Sequence, residues 1–180
     1  MQKTSKPRYF LMSLAFVGLV GCAKLPQQSS SCVGDVITPP VGLQLSAEQP
    51  PAGTIGAPKA GALCTGKVFV AMQPVRVYRV WDAAKPYTQY GKWWSFDAPK
   101  GPRDTYRLNN AICPEWSPLN QVSSCTLKVG TQVVVGPGQS AECADKTLLP
   151  AAATNQVYVP NDSLHNVVAV ENCSAATAWP

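Results

Sequence analysis

The first 21 residues constrain the fold of this chain most strongly, because they decide the compartment in which the rest of it folds. Lys3, Lys6 and Arg8 form a basic region, and the uncharged apolar stretch 9–20 follows. About a dozen apolar residues are too few for a membrane-spanning helix, which needs about 20. We therefore interpret residues 1–21 as a signal peptide and expect the mature chain to fold where disulfides form.

The leader ends in Leu19-Val20-Gly21 and is followed by Cys22, and these four residues resemble the lipobox of bacterial lipoproteins. The resemblance implies lipid transfer to the Cys22 sulfur, cleavage before Cys22 and acylation of the new N-terminus. Several acyl chains suffice for stable anchoring in a membrane. The expected location is the bacterial cell envelope, periplasmic or surface-exposed, and Ala23 after the cysteine favours the outer over the inner membrane. The alternative is an ordinary signal peptide with an incidental cysteine.

The chain that remains has the length of one domain with a sizeable core. Its basic character comes largely from the leader, which contains three of the fifteen Lys and Arg residues. Twelve basic residues then face ten acidic ones, a net charge of about +2. Because no run of basic residues is present, we expect no nucleic-acid partner.

Six cysteines follow Cys22, an even number that predicts up to three disulfides with fifteen pairings open. Residues 114–124 separate Cys113 from Cys125, and this short loop favours a Cys113–Cys125 bridge. A zinc site would need closely spaced Cys or His pairs. The sequence has no C-x-x-C and one histidine, so we expect no metal. The disulfide candidates are Cys32, Cys64, Cys113, Cys125, Cys143 and Cys173.

The composition changes near residue 62. Residues 22–62 contain Pro39-Pro40 and Pro50-Pro51 and almost no aromatic side chains. Such a segment buries too little apolar surface to offset its conformational entropy. We predict a lipidated tether over 22–62, pinned through Cys32, and a globular domain over 63–180.

Strand patterns dominate the predicted domain. In Val75–Trp81, alternation places Val75, Val77, Arg79 and Trp81 on one face. One or two helical turns are predicted over 104–111. The predicted fold class is a β-dominated, disulfide-stapled α+β domain with few short helices. Further strands are predicted over 67–72, 92–96, 125–129, 131–135, 155–159 and 167–170.

Common catalytic motifs are absent from the sequence, including G-x-S-x-G, H-E-x-x-H, the P-loop and G-x-G-x-x-G. His165 lies in a polar loop and is interpreted as a solvated histidine, with a catalytic role as the alternative. Arg79 is less ordinary, because an arginine on an apolar face is costly unless it is paired or holds an anionic ligand. Pairing with Asp82 or Asp97 is the structural alternative.

Three segments in order resemble motifs of the ADP-ribosyltransferase superfamily, in particular short bacterial toxin domains and necrotising-toxin-type NAD glycohydrolases. The first is Tyr78-Arg79, and the second is Gly91-Lys-Trp-Trp-Ser-Phe96, followed by Tyr106-Arg107. The third is Asn155-Gln-Val-Tyr-Val-Pro-Asn161. The resemblance spans about 75–162. It implies a compact split sheet and cleavage of the nicotinamide–ribose bond of NAD, by hydrolysis or by ADP-ribosyl transfer.

The resemblance also implies roles for individual side chains. Arg79 would bond a phosphate or ribose oxygen, a tryptophan would stack on the nicotinamide, and Gln156 would bond the ribose 2′-hydroxyl. Gln stands where most transferases of the superfamily have Glu, which favours hydrolysis; Glu142 is the other acidic candidate. NAD would be a substrate rather than a resident cofactor. The predicted catalytic residues are Arg79, Ser95, Gln156 and Glu142, and the predicted NAD-binding residues are Tyr78, Arg79, Trp93 and Trp94.

A different class of function, a non-catalytic envelope lipoprotein, would use the aromatic side chains to bind a glycan or a protein. It requires these side chains to be exposed on an open groove, whereas buried they would only pack. The aromatic residues concerned are Tyr87, Tyr90, Trp93, Trp94, Trp116 and Trp179.

Overall fold

The computed structural model describes residues 32–180. The predicted signal peptide, the lipobox, Cys22 and the first part of the predicted tether lie outside the described residues. Within 32–180, no helix is both long and apolar enough to cross a membrane.

The larger sheet has five antiparallel strands. The central strand, Gln132–Gly138, has a register shift between Pro137 and Gly138, where proline lacks the N–H that a regular ladder requires. In spatial order the strands are β1 (Leu43–Leu45), β2 (Lys67–Ala71), β6 (Gln132–Gly138), β9 (Ala152–Tyr158) and β4 (Trp93–Trp94).

The second sheet is built on β5 (Gln121–Leu127), which pairs along its whole length with β3 (Val75–Trp81). Two short strands, β10 (Val170–Glu171) and β11 (Thr177–Ala178), pair with the other edge of β5. Tyr78 and Ser95 exchange backbone hydrogen bonds of 2.8 and 2.9 Å, which join β3 to the segment directly after β4. As a result β3, β4 and β9 are neighbours in space.

The main core lies between these strands. On β3, Val75 and Val77 are buried as the alternation predicts, and they share this core with Trp94, Leu127 and Val157. Arg79, on the same face as Val77, extends beyond this apolar cluster. The core therefore ends at the arginine.

The remaining elements are short. They are the helix α1 (Arg103–Asn110), the hairpin of β7 (Ala141–Glu142) and β8 (Leu148–Leu149), and single 3-10 turns over 86–90, 114–116 and 163–165. The prediction of a β-dominated α+β domain with few short helices is confirmed. The predicted bounds of β3 agree with the structure, and α1 starts one residue before the predicted helix.

The three disulfides pair Cys32 with Cys64, Cys113 with Cys143, and Cys125 with Cys173. The predicted Cys113–Cys125 bridge is therefore wrong. The reason is that Cys125 lies in the middle of β5 beside the C-terminal segment, whereas Cys113 follows α1 and faces the β7–β8 hairpin. All six candidate cysteines are nevertheless bridged.

The structure differs from the predicted domain boundary at residue 63. Residues 43–45 form β1 and extend the larger sheet, and Thr54 is fully buried. The segment before β1 also packs on the domain, since Asn155 on β9 bonds the backbone of Asp35 and Ile37. From Cys32 on, the proline-rich stretch is therefore part of the folded domain.

Candidate functional site

A cavity of about 210 Å³ lies where β3, β4 and β9 meet α1 and the loop after it. Arg79 enters from β3, Trp93 and Trp94 from β4, and Gln156 from β9. Four residues predicted from the three sequence motifs therefore lie on one cavity. They converge because their strands are adjacent, although up to 77 positions separate them in the sequence.

The guanidinium of Arg79 is held by the backbone around it. Its Nε donates to the Thr88 carbonyl at 2.6 Å, and its Nη1 donates to the Trp93 carbonyl. The group also packs directly against Gly91, where any Cβ atom would overlap with it. The absence of a side chain at Gly91 thus creates the space that Arg79 occupies.

Arg79 has no acidic partner within ion-pairing distance among residues 32–180. Asp82 instead pairs with Lys85 at 4.0 Å, and the backbone carbonyl of Asp97 accepts from Ser95. The pairing of Arg79 with Asp82 or Asp97 that the sequence left open is therefore not found.

Arg79 gives the cavity a positive charge. Burial lowers the pKa of Arg79 to about 10, and the interaction with Tyr106 opposes this effect. Burial likewise raises the pKa of the Tyr106 phenol to about 12, against the influence of Arg79. At neutral pH the arginine is charged and the phenol is protonated. None of the described residues that line the cavity is acidic.

Tryptophans form much of the apolar wall. Trp94 is buried, and its Nε1 donates to the Gly91 carbonyl at 2.7 Å. Trp93 packs edge-on against Tyr158 at 5.3 Å between ring centroids. Trp116, from the 3-10 turn after α1, lines the opposite wall and is 49% exposed, so it forms the rim.

Gln156 is 8% exposed and is not an ordinary surface residue of its strand. Its Nε2 donates to the Asn110 carbonyl at the end of α1, at 2.9 Å. Gly138 on the neighbouring strand leaves room for this amide, because a Cβ there would approach Nε2 to 3.0 Å. The carbonyl oxygen of Gln156 accepts no hydrogen bond from residues 32–180, so it is available to a ligand hydroxyl.

A second, more open cavity of about 530 Å³ adjoins the first, and both are lined by Tyr106 and Asn110. Ser95 lines this second cavity, where its hydroxyl donates to the Asp97 carbonyl at 2.6 Å. Ser95 therefore lies beside the Arg79 cavity and not in it.

Two other predicted site residues lie away from the cavity. Glu142 is on the β7–β8 hairpin and pairs with Lys59 and Lys146, each at 3.3 Å. Hydrogen bonds from these two lysines hold the pKa of its carboxyl below the usual value. Tyr78 alternates with Arg79 on β3 and does not line the Arg79 cavity.

Tyr106-Arg107 follows the second motif in the sequence, but neither Tyr106 nor Asn110 was predicted as a site residue. Both are on α1: Asn110 is bonded by Gln156 of β9, and Tyr106 packs against Trp179. The helix was predicted, but eight residues carry too little periodicity to show which side chains reach a cavity.

No protein-family model, no curated protein and no solved structure matches this chain.

Taken chemically, the cavity offers one cation, a protonated phenol, stacking surfaces and an amide oxygen. This set suits a ligand that combines an aromatic ring, hydroxyl groups and an anionic group.

Proposed function

We propose that this domain binds NAD with the nicotinamide end in the Arg79 cavity and cleaves the nicotinamide–ribose bond. The observation that carries the proposal is the convergence of Arg79, Trp93, Trp94 and Gln156 on one cavity. The Arg79 cavity alone, at about 210 Å³, is smaller than the roughly 300–1,000 Å³ of typical ligand sites, but the space is within that range when the second cavity of about 530 Å³ is included.

In this proposal the ring of nicotinamide stacks on Trp93 or Trp94, and Arg79 bonds a phosphate or ribose oxygen. The remainder of the dinucleotide passes Tyr106 and Asn110 into the second cavity. Ser95 then supports the wall of that second cavity. Glu142 has no part in the reaction, because it lies on the surface between two lysines.

The bond between C1′ of the ribose and the nicotinamide nitrogen breaks, and nicotinamide leaves with the electron pair. The ribosyl centre gains oxocarbenium character. The free carbonyl oxygen of Gln156 accepts a hydrogen bond from the 2′-hydroxyl, which strengthens as charge develops. Water attacks C1′ and releases a proton to give ADP-ribose; a macromolecular nucleophile would give ADP-ribosyl transfer instead. The neutral Gln156 favours water as the acceptor.

The alternative of a glycan- or protein-binding lipoprotein receives less support. Trp94 and Trp179 are buried, and Trp93 and Trp116 face the cavity. Tyr87 and Trp116, both 49% exposed, belong to separate 3-10 turns. The aromatic residues therefore do not form the open groove that this alternative needs.

The proposed setting is the bacterial envelope, with the domain anchored through lipid on Cys22 and the outer membrane favoured. A toxin held at the surface is the biological role that we associate with NAD cleavage from this position.

The test is NAD consumption by the purified, oxidised protein. Arg79→Lys and Gln156→Ala should each lower kcat/KM at least tenfold. Two variants provide matched controls. Gln139→Ala removes a glutamine of similar burial, 4% exposed, outside the Arg79 cavity, and Glu142→Gln removes the surface carboxylate. Both should keep wild-type turnover. Absence of turnover in the wild-type protein, with no thermal stabilisation by NAD, would reject the proposal.

A further inference from the structure

We infer that Tyr106 is a second substrate-binding residue beside Arg79, and that its phenolic hydroxyl donates a hydrogen bond to a phosphate oxygen of the substrate. The identity of that substrate rests on the proposed function. The anion site itself rests on the structure of the cavity alone.

Tyr106 belongs to the lining of both cavities. Asn110 lines both as well, and a ligand that occupies both cavities lies against the Tyr106 side chain. The Nδ2 of Asn110 is already engaged with the Tyr106 carbonyl at 2.9 Å, and the Asn110 carbonyl accepts from Gln156. The phenolic hydroxyl is thus the free donor at this junction.

The ring is also held in place. It packs edge-on against Trp179 at 4.9 Å between centroids and an interplanar angle of 65°. Trp179 is in turn fixed by Arg103, whose Nη2 donates to the Trp179 carbonyl at 3.1 Å. A donor positioned by packing loses little entropy when a ligand binds.

The lining of the cavity also favours an anionic ligand. Tyr106 is half-buried and lines the cavity, and its hydroxyl makes no hydrogen bond to residues 32–180, so this donor is free to bind a ligand. Arg79 presents a cation with no carboxylate partner to the same cavity. Because no described residue that lines it is acidic, an oxyanion from outside is the partner that satisfies both donors.

The test uses Tyr106→Phe, which removes the hydroxyl and keeps the ring against Trp179. Tyr158→Phe is the matched control, because Tyr158 also packs edge-on against a tryptophan, Trp93, but does not line the cavity. Both variants should unfold at the wild-type temperature. Calorimetry then measures the binding of inorganic pyrophosphate, and a separate assay measures NAD turnover.

We expect Tyr106→Phe to weaken pyrophosphate binding by about 10- to 100-fold, the usual loss for a hydrogen bond to a charged group. The kcat/KM for NAD should fall by a similar factor, and Tyr158→Phe should match the wild type in both assays. Pyrophosphate binding that depends on Tyr106 in a protein without NAD turnover would reject the proposed function and keep this inference. Full pyrophosphate affinity and full turnover in Tyr106→Phe would overturn the inference and keep the proposed function. No pyrophosphate binding by the wild-type protein would also overturn the inference.

Discussion

Arg79 keeps its position because Gly91 has no side chain. The guanidinium lies against the Gly91 backbone while two of its donors reach the carbonyls of Thr88 and Trp93. The same Gly91 carbonyl accepts hydrogen bonds from Trp94 and from the buried Asn161. One small residue therefore orders the arginine and a tryptophan of the cavity.

This contact leads to a prediction for Gly91→Ala. The new methyl group would displace the guanidinium from its two carbonyl partners, and crowding of this kind costs about 1–3 kcal/mol. We expect kcat/KM for NAD to fall at least tenfold with a modest decrease in thermal stability. Lys92→Ala, at the exposed neighbouring position, should leave both quantities unchanged. Wild-type turnover in Gly91→Ala would show that the observed position of Arg79 is not needed.

Some individual residues of the cavity could be predicted from the sequence. An arginine amid an alternating apolar strand is anomalous by itself, and it does line the cavity. Gly91 opens the second motif and Tyr106 follows it, but no residue pattern shows what either one does, because their roles come from contacts with residues that are distant along the chain or across a turn.

Among the elements, the loop that follows α1 forms the outer wall of the cavity. The Cys113–Cys143 disulfide ties this loop to the β7–β8 hairpin, with Cys113 fully buried. Arg107 reinforces it by donating to the Cys113 and Ser117 carbonyls at 3.2 and 2.6 Å. The rim residue Trp116 therefore depends on a covalent link outside the cavity.

We predict that the double variant Cys113→Ser/Cys143→Ser has a lower free energy of unfolding and a less ordered outer wall of the cavity. A link across 30 residues contributes roughly 3–4 kcal/mol in the chain-entropy model. The matched control is Cys125→Ser/Cys173→Ser, which opens a bridge across 48 residues in the second sheet. Denaturant unfolding should show comparable losses, whereas NAD turnover below the unfolding transition should fall much more in the first variant. Equal turnover in the two variants would contradict this role of the wall.

Strands were predictable from the sequence to the extent that alternation marks them, as in β3. The disulfide pairing was not, because proximity along the chain favoured Cys113–Cys125 while the fold separates these residues. The short strand β1 was also missed, since its three residues lie in a proline-rich segment and are ordered by pairing with β2.

In the whole molecule, the site forms because β3, β4 and β9 lie side by side. β3 and β4 lie in the first half of the described residues and β9 lies near their end, and the fold makes the three strands neighbours. Sequence order could suggest that three motifs belong together, but only tertiary structure places them on one cavity.

The sequence predicts that the molecule is attached to a membrane through lipid on Cys22. Cys22→Ser should abolish metabolic labelling with a radioactive fatty acid and move the protein from the membrane fraction to the soluble fraction of the envelope. Cys32→Ser, which removes a bridging cysteine instead, should still be labelled. Labelling of Cys22→Ser would show that the lipobox interpretation is wrong.

The most direct test of the account is a crystal structure of Gln156→Ala with NAD, because this variant should bind the dinucleotide and turn it over slowly. We predict a nicotinamide ring stacked on Trp93 or Trp94, an oxygen of the ligand within hydrogen-bond distance of Arg79, and the adenosine end in the second cavity. An empty Arg79 cavity at saturating NAD, in a protein that retains its fold, would contradict the account.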